Sequence, residues 1–207
     1  MGTLIVTEFM TLDGVGQSGG RPEEDRDGDF VHGGWMAPLA DQDPDSDDVV
    51  FEQASRMDAL LLGRKTYDIF VGFWPTAPPE IPFTNLLTGV PKYVASHTLA
   101  GSLAWQGSTI ISGDLAENVA VLKERHDEVH VIGSLNLVQS LLRFGLVDRM
   151  NLWVFPLLLG SGKRVFADGT VPTALRLTES VTYPSGTLHL TYETAGVPTY
   201  GTIGGEE

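Results

Sequence analysis

Short apolar runs alternate with amphipathic stretches along most of this chain. An alternation of that kind restricts the fold to a largely parallel sheet covered by helices, joined by right-handed crossovers. Residues 3–9 (TLIVTEF), Ala59–Gly63, Lys92–Ser96, Ser108–Ser112, Glu128–Gly133 and Met150–Pro156 read as buried strands. Between them, one helix runs from a cap at Asp47 or Asp48 to about Met57, and another covers Arg64–Phe70. A third spans Ala116–Arg125, and a fourth spans Ser134–Phe144 and ends at Gly145. Leu175–Tyr183 and Thr187–Glu193 read as a hairpin, which adds antiparallel strands at one edge. The expectation is an α/β fold of three layers: a mostly parallel central sheet, helices on both faces and a C-terminal antiparallel hairpin.

What lies between these elements is also informative. Residues 10–45 are rich in Gly, Asp and Pro and read as one long loop with a helical turn near His32–Leu39. Such a segment has few large apolar residues with which to offset its ordering entropy, so residues 14–45 are expected to form a mobile lid. Gly72–Pro82 holds Phe73, Trp74 and four prolines and reads as a loop with an aromatic tip. The chain of 207 residues suits one domain, placed at 1–193, with a Gly-rich tail at 194–207 expected to be flexible.

Charge and composition exclude several function classes. The formal net charge of -14 opposes binding to nucleic acid or an anionic membrane surface. No apolar run is long enough to span a bilayer. The N-terminus has no basic stretch before its apolar residues, so no secretory signal is read there. The absence of cysteine removes disulfides and thiolate zinc sites, and it fits a cytoplasmic location. Asp43, Asp45, Asp47 and Asp48 are spaced like a calcium loop, but Pro44 and the following VVF break that pattern, so no metal site is expected. There is no GxSxG elbow, no HExxH pair, and neither a Walker loop nor a GxGxxG fingerprint.

Two strand-to-helix junctions carry the chemistry. In Leu61-Leu62-Gly63-Arg64-Lys65-Thr66-Tyr67 a strand ends at Gly63, and the next residues open a helix whose free amides and positive dipole end favour an anion. Arg64 and Lys65 add formal charge at the same place. In Val131-Ile132-Gly133-Ser134-Leu135-Asn136 the small residues 133 and 134 permit close approach to the backbone. Taken singly, each junction is equally consistent with a solvated helix start or a tight turn.

The two junctions in this order and spacing resemble the dihydrofolate-reductase-like superfamily, and more closely the RibD C-terminal (riboflavin-biosynthesis reductase) domain family and its single-domain members. The resemblance runs from about Thr3 to Glu193. It rests on TLDG at 11–14, LLLGRKTYDIF at 60–70, FW at 73–74, VASHTL at 94–99 and SGDLAENVAVLK at 112–123. The longest ordered match is VIGSLNLVQSLLRFGLVDRMNLWVFPLLLGSGKRVF at 131–166.

The resemblance implies NADPH as cofactor. Gly63, Arg64, Lys65 and Thr66 look like the helix start that meets its phosphates, with the cations facing the 2′-phosphate. Ser96, His97 and Thr98 look like the turn beside the adenosine ribose, where many relatives carry Arg in place of His97. Gly133, Ser134, Leu135 and Asn136 look like the pyrophosphate and nicotinamide junction, where dihydrofolate reductases have a Gly pair. Asp13 and Gly14 open the loop that would lie over the nicotinamide. The proton-donor candidates are Asp13 and the acidic face of the first helix, Asp48 or Glu52. Phe73 and Trp74 would wall a flat heterocycle, with Asp13 and Asp48 also near the substrate.

By resemblance, the reaction is that of 5-amino-6-(5-phosphoribosylamino)uracil reductase. The acidity of residues 14–45 disfavours a phosphorylated sugar, which keeps open a reductase of another pterin-like or xenobiotic substrate. A non-catalytic ligand-binding member of the fold is a further alternative. The expected partners are a small-molecule substrate and a second copy of the chain. The homodimer is argued from the apolar run MNLWVFPLLLG, which looks like more than one strand face requires.

Overall fold

The computed structural model describes residues 1–204. Eight strands form one sheet: β1 (Thr3–Thr11), β2 (Ala59–Gly63), β3 (Lys92–Ala95), β4 (Ser108–Ile111), β5 (Glu128–Ile132), β6 (Arg149–Phe155), β7 (Leu175–Thr182) and β8 (Leu188–Thr194). Their order is β4-β3-β2-β5-β1-β6-β8-β7. The first six are parallel, and β8 and β7 add the antiparallel hairpin at one edge. The helices are α1 (Ala37–Ala40), α2 (Pro44–Ser55), α3 (Arg64–Val71), α4 (Pro82–Gly89), α5 (Leu115–Arg125) and α6 (Leu135–Arg143).

Strand alternation divides the core between the two faces. Leu4 and Val6 of β1, Val129 and Val131 of β5 and Met150 and Leu152 of β6 pack against Val119 and Leu122 of α5 and Val138 and Leu141 of α6. On the other face, Leu60 and Leu62 of β2 meet Tyr67 of α3 and Leu87 of α4. Phe9 and Trp153 stack on that face at 6.1 Å, with Phe155 and Tyr183 beside them. The central strands are covered on both sides, which is why they read as continuous apolar runs.

Four readings from the sequence change. Helix α2 begins at Pro44, not at Asp47 or Asp48. Proline is preorganised for the first helical position, and the buried Asp43 before it accepts the Ser185 amide at 3.0 Å and the Ser185 hydroxyl, tying α2 to the hairpin turn. Helix α4 lies in a stretch given no helix, hidden by the prolines before it. Its signals are Pro82 at the start, Gly89 at the end and apolar residues at 83, 86, 87 and 90. The first half of the apolar run 150–160 supplies no spare apolar surface, since Met150, Leu152, Trp153, Val154 and Phe155 are all buried within their own chain, while Leu158 in its second half is exposed. The tail expected at 194–207 has no helix or strand beyond Thr194 through residue 204, and 205–207 lie outside the described residues.

The fourth change concerns the long loop, which is well anchored. Phe30 and Trp35 are buried, and Trp35 meets Phe155 edge-on at 5.4 Å while its Nε1 donates to the Gln17 carbonyl at 2.9 Å. Gln17 Nε2 donates to the carbonyls of Asp25 and Asp27 at 3.1 and 3.0 Å, and Gln17 Oε1 accepts the Lys163 amide at 2.9 Å. Val15 also pairs with Arg164 in an antiparallel bridge. Two aromatic side chains therefore offset the ordering entropy that the Gly and Asp content suggested would prevail. Trp35→Ala is expected to cost about 3–5 kcal/mol, as large aromatic truncations in cores do. Urea denaturation measures this, and limited proteolysis should then cut within residues 14–45. An unchanged cleavage pattern would mean that Trp35 does not hold the loop.

Candidate active site

A cavity of about 900 Å³ opens at the C-terminal ends of β2, β3, β4 and β5 and along the second half of β1. This is where a parallel sheet collects its strand-to-helix turns, and where ligands of open α/β sheets bind. Gly63, Arg64, Lys65 and Thr66 line it, as do Ser96 and His97, Gly133 through Asn136, and Phe73 and Trp74. The cavity thus brings together residues that the sequence separates by more than a third of its length.

The two junctions touch. The Gly63 amide donates to Ser134 Oγ at 3.0 Å. Gly133 and Ser134 both take left-handed backbone angles, with φ of 65° and 68°. The Gly133 amide donates to the Thr7 carbonyl at 3.1 Å, which fixes the turn against β1. Neither α3 nor α6 has a side-chain cap at its start, so amides of both first turns are left without side-chain partners. At the third turn, Ser96 Oγ accepts the amides of Thr98 and Leu99 at 3.2 and 3.1 Å. Arg64 Nη1 donates to Thr98 Oγ1 at 2.8 Å.

One end of the cavity is aromatic. Phe73 and Trp74 meet edge-on at 5.0 Å, Phe83 lies 6.2 Å from Trp74, and the Arg21 guanidinium sits 4.7 Å over the Phe73 ring. The acidic loop closes another side and carries its own counter-ions. Lys163 Nζ lies 2.6 Å from both Asp25 and Asp27, and Lys65 Nζ lies 2.9 Å from Asp27 and 3.4 Å from Asp25. The hydrogen bonds from Lys163 and then Lys65 lower the Asp27 carboxyl to about 2, and the Asp27 bond raises Lys65. Lys65 is therefore committed to the loop, whereas among the described residues Arg64 pairs only with the exposed Asp68 of its own helix, at 3.6 Å.

The proton-donor candidates fall elsewhere. Asp13 does not line the cavity: its carboxylate accepts Thr11 Oγ1 at 2.6 Å, the Gly160 amide at 2.8 Å and the Leu159 amide at 3.2 Å. The Thr11 bond chiefly holds it below the usual carboxylate range. This geometry makes Asp13 a clasp between two loops. Asp48 and Glu52 are exposed on α2 and also lie outside the lining.

Beside Glu24 and Asp25 of the loop, a third carboxyl lines the cavity: Glu8, which was read only as part of an apolar strand. It is 2% exposed, its Oε1 has no hydrogen-bond partner, and burial pushes it from 4.5 up to about 8. Its signal in the sequence is an ionisable residue inside the otherwise uncharged run TLIVTEF.

Comparison with known proteins follows this geometry. The sequence matches the RibD C-terminal domain family over residues 2–189. The chain belongs to that family. The uncharacterized protein YyaP of Bacillus subtilis is 28% identical over 146 residues, covering 69% of this chain and 77% of that protein. A putative riboflavin biosynthesis protein from Shewanella sp. PV-4 superposes with a TM-score of 0.69 at 21% identity, over 93% of this chain and 99% of its own. A dihydrofolate reductase from Enterococcus faecalis, solved with NADP(H) and RAB-propyl, superposes with a TM-score of 0.59 at 13% identity, over 93% and 96%. The fold is thus that of dihydrofolate reductase, and the RibD C-terminal domain assignment covers every residue of the cavity wall named here. Among the described residues, no helix is long and apolar enough to cross a membrane.

Glu8 gives this site a pH signature. The carboxyl titrates near 4.5 when unfolded and near 8 when folded. Between those values Glu8 binds more protons in the folded state, so its contribution to stability falls as pH rises. Glu8→Gln removes that loss. The stability of the variant relative to wild type should rise from pH 4.5 to pH 8 and stay level above, in urea titrations across the range. A difference independent of pH would mean that Glu8 is not held neutral.

Proposed function

We propose that this chain is an NADPH-dependent reductase that transfers hydride to a small flat heterocycle. The observation that carries this reading is the joined pair of uncapped helix starts beside an aromatic-walled cavity. The site suits a dinucleotide chemically. The helix starts offer backbone amides and positive dipole ends to a pyrophosphate. Ser96, His97 and Arg64 ring a polar corner fit for a phosphorylated ribose. NADPH, when bound, supplies the hydride, and the protein needs no nucleophile of its own. The residues here position the reactants and exclude water: Ser134 and Gly133 hold the turn against β1, and Phe73, Trp74 and Phe83 offer apolar faces to a ring.

Family membership supports an oxidoreductase, with 5-amino-6-(5-phosphoribosylamino)uracil or a related pyrimidine as the first substrate to test. The pairing of Asp25 and Asp27 with Lys65 and Lys163 weakens the electrostatic objection to a phosphorylated sugar, and Arg21, paired with Glu24 at 3.4 Å, sits beside the aromatic wall. A pterin-like or xenobiotic substrate is the second reading, favoured by the apolar lining around Trp74, Phe83 and Leu87. Turnover of NADPH across such a panel separates both from a ligand-binding protein, which would bind without oxidising the cofactor.

Because Lys65 is engaged by the loop, selection of the 2′-phosphate is assigned to Arg64. One charge-assisted hydrogen bond contributes roughly 1.5–3 kcal/mol, which corresponds to about tenfold to a hundredfold tighter binding of NADPH than of NADH. Arg64→Ala should lose that preference and leave NADH nearly unchanged, while Lys65→Ala should change it less. Calorimetric titration measures both. Equal loss of the two cofactors in Arg64→Ala would place the 2′-phosphate elsewhere.

A homodimer is also proposed, resting on the edge strand and on the end of the apolar run beyond Phe155. Edge strand β7 is exposed along its whole length, including Leu175, Leu177 and Val181, and Leu158 is 73% exposed. Sedimentation at micromolar concentration should give twice the chain mass, and a monomer throughout would remove this reading.

A further inference from the structure

Glu8 is an anomaly that the proposed reaction does not yet use. A carboxyl buried in an apolar sheet without a hydrogen-bond partner is unfavourable, and such groups concentrate at functional sites. Its place is informative. The parallel register sets it beside Leu152 of β6, on the face covered by α5 and α6. On the other side, the Gly133 amide is bonded to the carbonyl of Thr7, so Glu8 follows directly at the Gly133–Ser134 turn. That turn and the start of α6 form the cavity wall here, and Glu8 lines the same cavity.

The groups around it leave it neutral. Leu152 and the first turn of α6, Leu135, Asn136 and Leu137, carry no charge. Elsewhere in the lining stand the carboxylates Glu24 and Asp25, the cations Arg21, Arg64, Lys65 and Lys163, and His97. The rise of the Glu8 carboxyl has burial as its cause. Nothing fixed in the chain therefore compensates a carboxylate at this position.

We propose that the nicotinamide ring of the dinucleotide lies against the Gly133–Ser134 turn with Glu8 as its charge partner: a neutral acid beside the reduced, uncharged ring that ionises to balance the oxidised, cationic one. This rests on the dinucleotide reading above. In a desolvated site, an uncompensated cation and a nearby acid lower their joint energy when the acid gives its proton up to solvent. Binding of the oxidised cofactor and release of a proton are then linked, and binding of the reduced cofactor is not. Glu8 thereby biases the site between the two redox forms according to pH.

The test uses NADP⁺ and NADPH with the whole protein. The ratio of their affinities cancels the titration of the 2′-phosphate, His97 and the lysines, which act on both forms alike. In wild type, NADP⁺ should gain on NADPH on the order of tenfold or more between pH 6 and pH 9. In Glu8→Gln, which keeps the shape and cannot ionise, the ratio should stay flat. Calorimetry on wild type at pH 7, in buffers of different ionisation enthalpy, should show close to one proton released with NADP⁺ and none with NADPH. That arm needs no variant to fold. A Glu8→Gln ratio that moves with pH as in wild type, or equal proton release with both forms, overturns the inference while leaving the dinucleotide reading intact. Failure of wild type to bind either form overturns the dinucleotide reading itself, and this inference with it.

Discussion

The hydrogen bond from the Gly63 amide to the Ser134 hydroxyl spans 71 residues of sequence and closes at 3.0 Å. It joins the two turns on which the cavity is built. Ser134 holds left-handed backbone angles, which cost a residue with a side chain roughly 1–2 kcal/mol. A glycine would avoid that cost and lose the bond. With serine, the turn after β5 is locked to the turn after β2, and the starts of α3 and α6 are held side by side. The parallel order of the strands makes this contact available, because β2 and β5 are neighbours and end on the same edge. Once the two helix starts are adjacent, the remaining walls are supplied by whatever loops lie above that edge, namely the acidic loop and the aromatic tip.

Those two loops give the site opposite ends. The aromatic tip at Phe73 and Trp74 is braced by Phe83 on α4, a helix whose far end is held by the buried Lys92. The Lys92 Nζ donates to the carbonyls of Leu87 and Thr88 at 2.9 and 3.0 Å and sits 4.6 Å over the Trp105 ring. The acidic loop is braced by Phe30 and Trp35 below and by Lys65 and Lys163 above. The strongly negative chain therefore presents a locally compensated rim to its ligand. The loop acids engage Lys65, and this is why the proposed selection of the 2′-phosphate falls to Arg64.

How much of this was legible depended on how local the cause was. Strands β1, β2, β3, β5 and β6 are interior strands of the sheet and β4 is its parallel edge, so each appears as a short apolar run whatever its neighbours are. The glycine turns at Gly63 and Gly133 are equally local. The anchoring of residues 14–45 was not, because Trp35 finds Phe155 only after the chain has crossed the sheet. The same holds for β6, whose apolar residues looked surplus until α6 covered one face and the aromatic cluster the other. In the site, the small and basic residues of the junctions could be named from their spacing. Glu8 was marked only by its charge within an apolar run, and Lys163 by nothing local, since its partners Asp25 and Asp27 lie 138 and 136 residues away. Asp13 was singled out because it lies in TLDG, and its hydrogen bonds to Leu159 and Gly160 turn out to hold a loop.

The central claim is that one dinucleotide spans the three turns after β2, β3 and β5. Amide hydrogen exchange with and without NADPH tests it most directly. Slowed exchange is expected at Arg64–Thr66, at His97–Thr98 and at Leu135–Leu137 together, in one saturable step. Protection confined to one of these segments, or none at any of them at saturating NADPH, would contradict it.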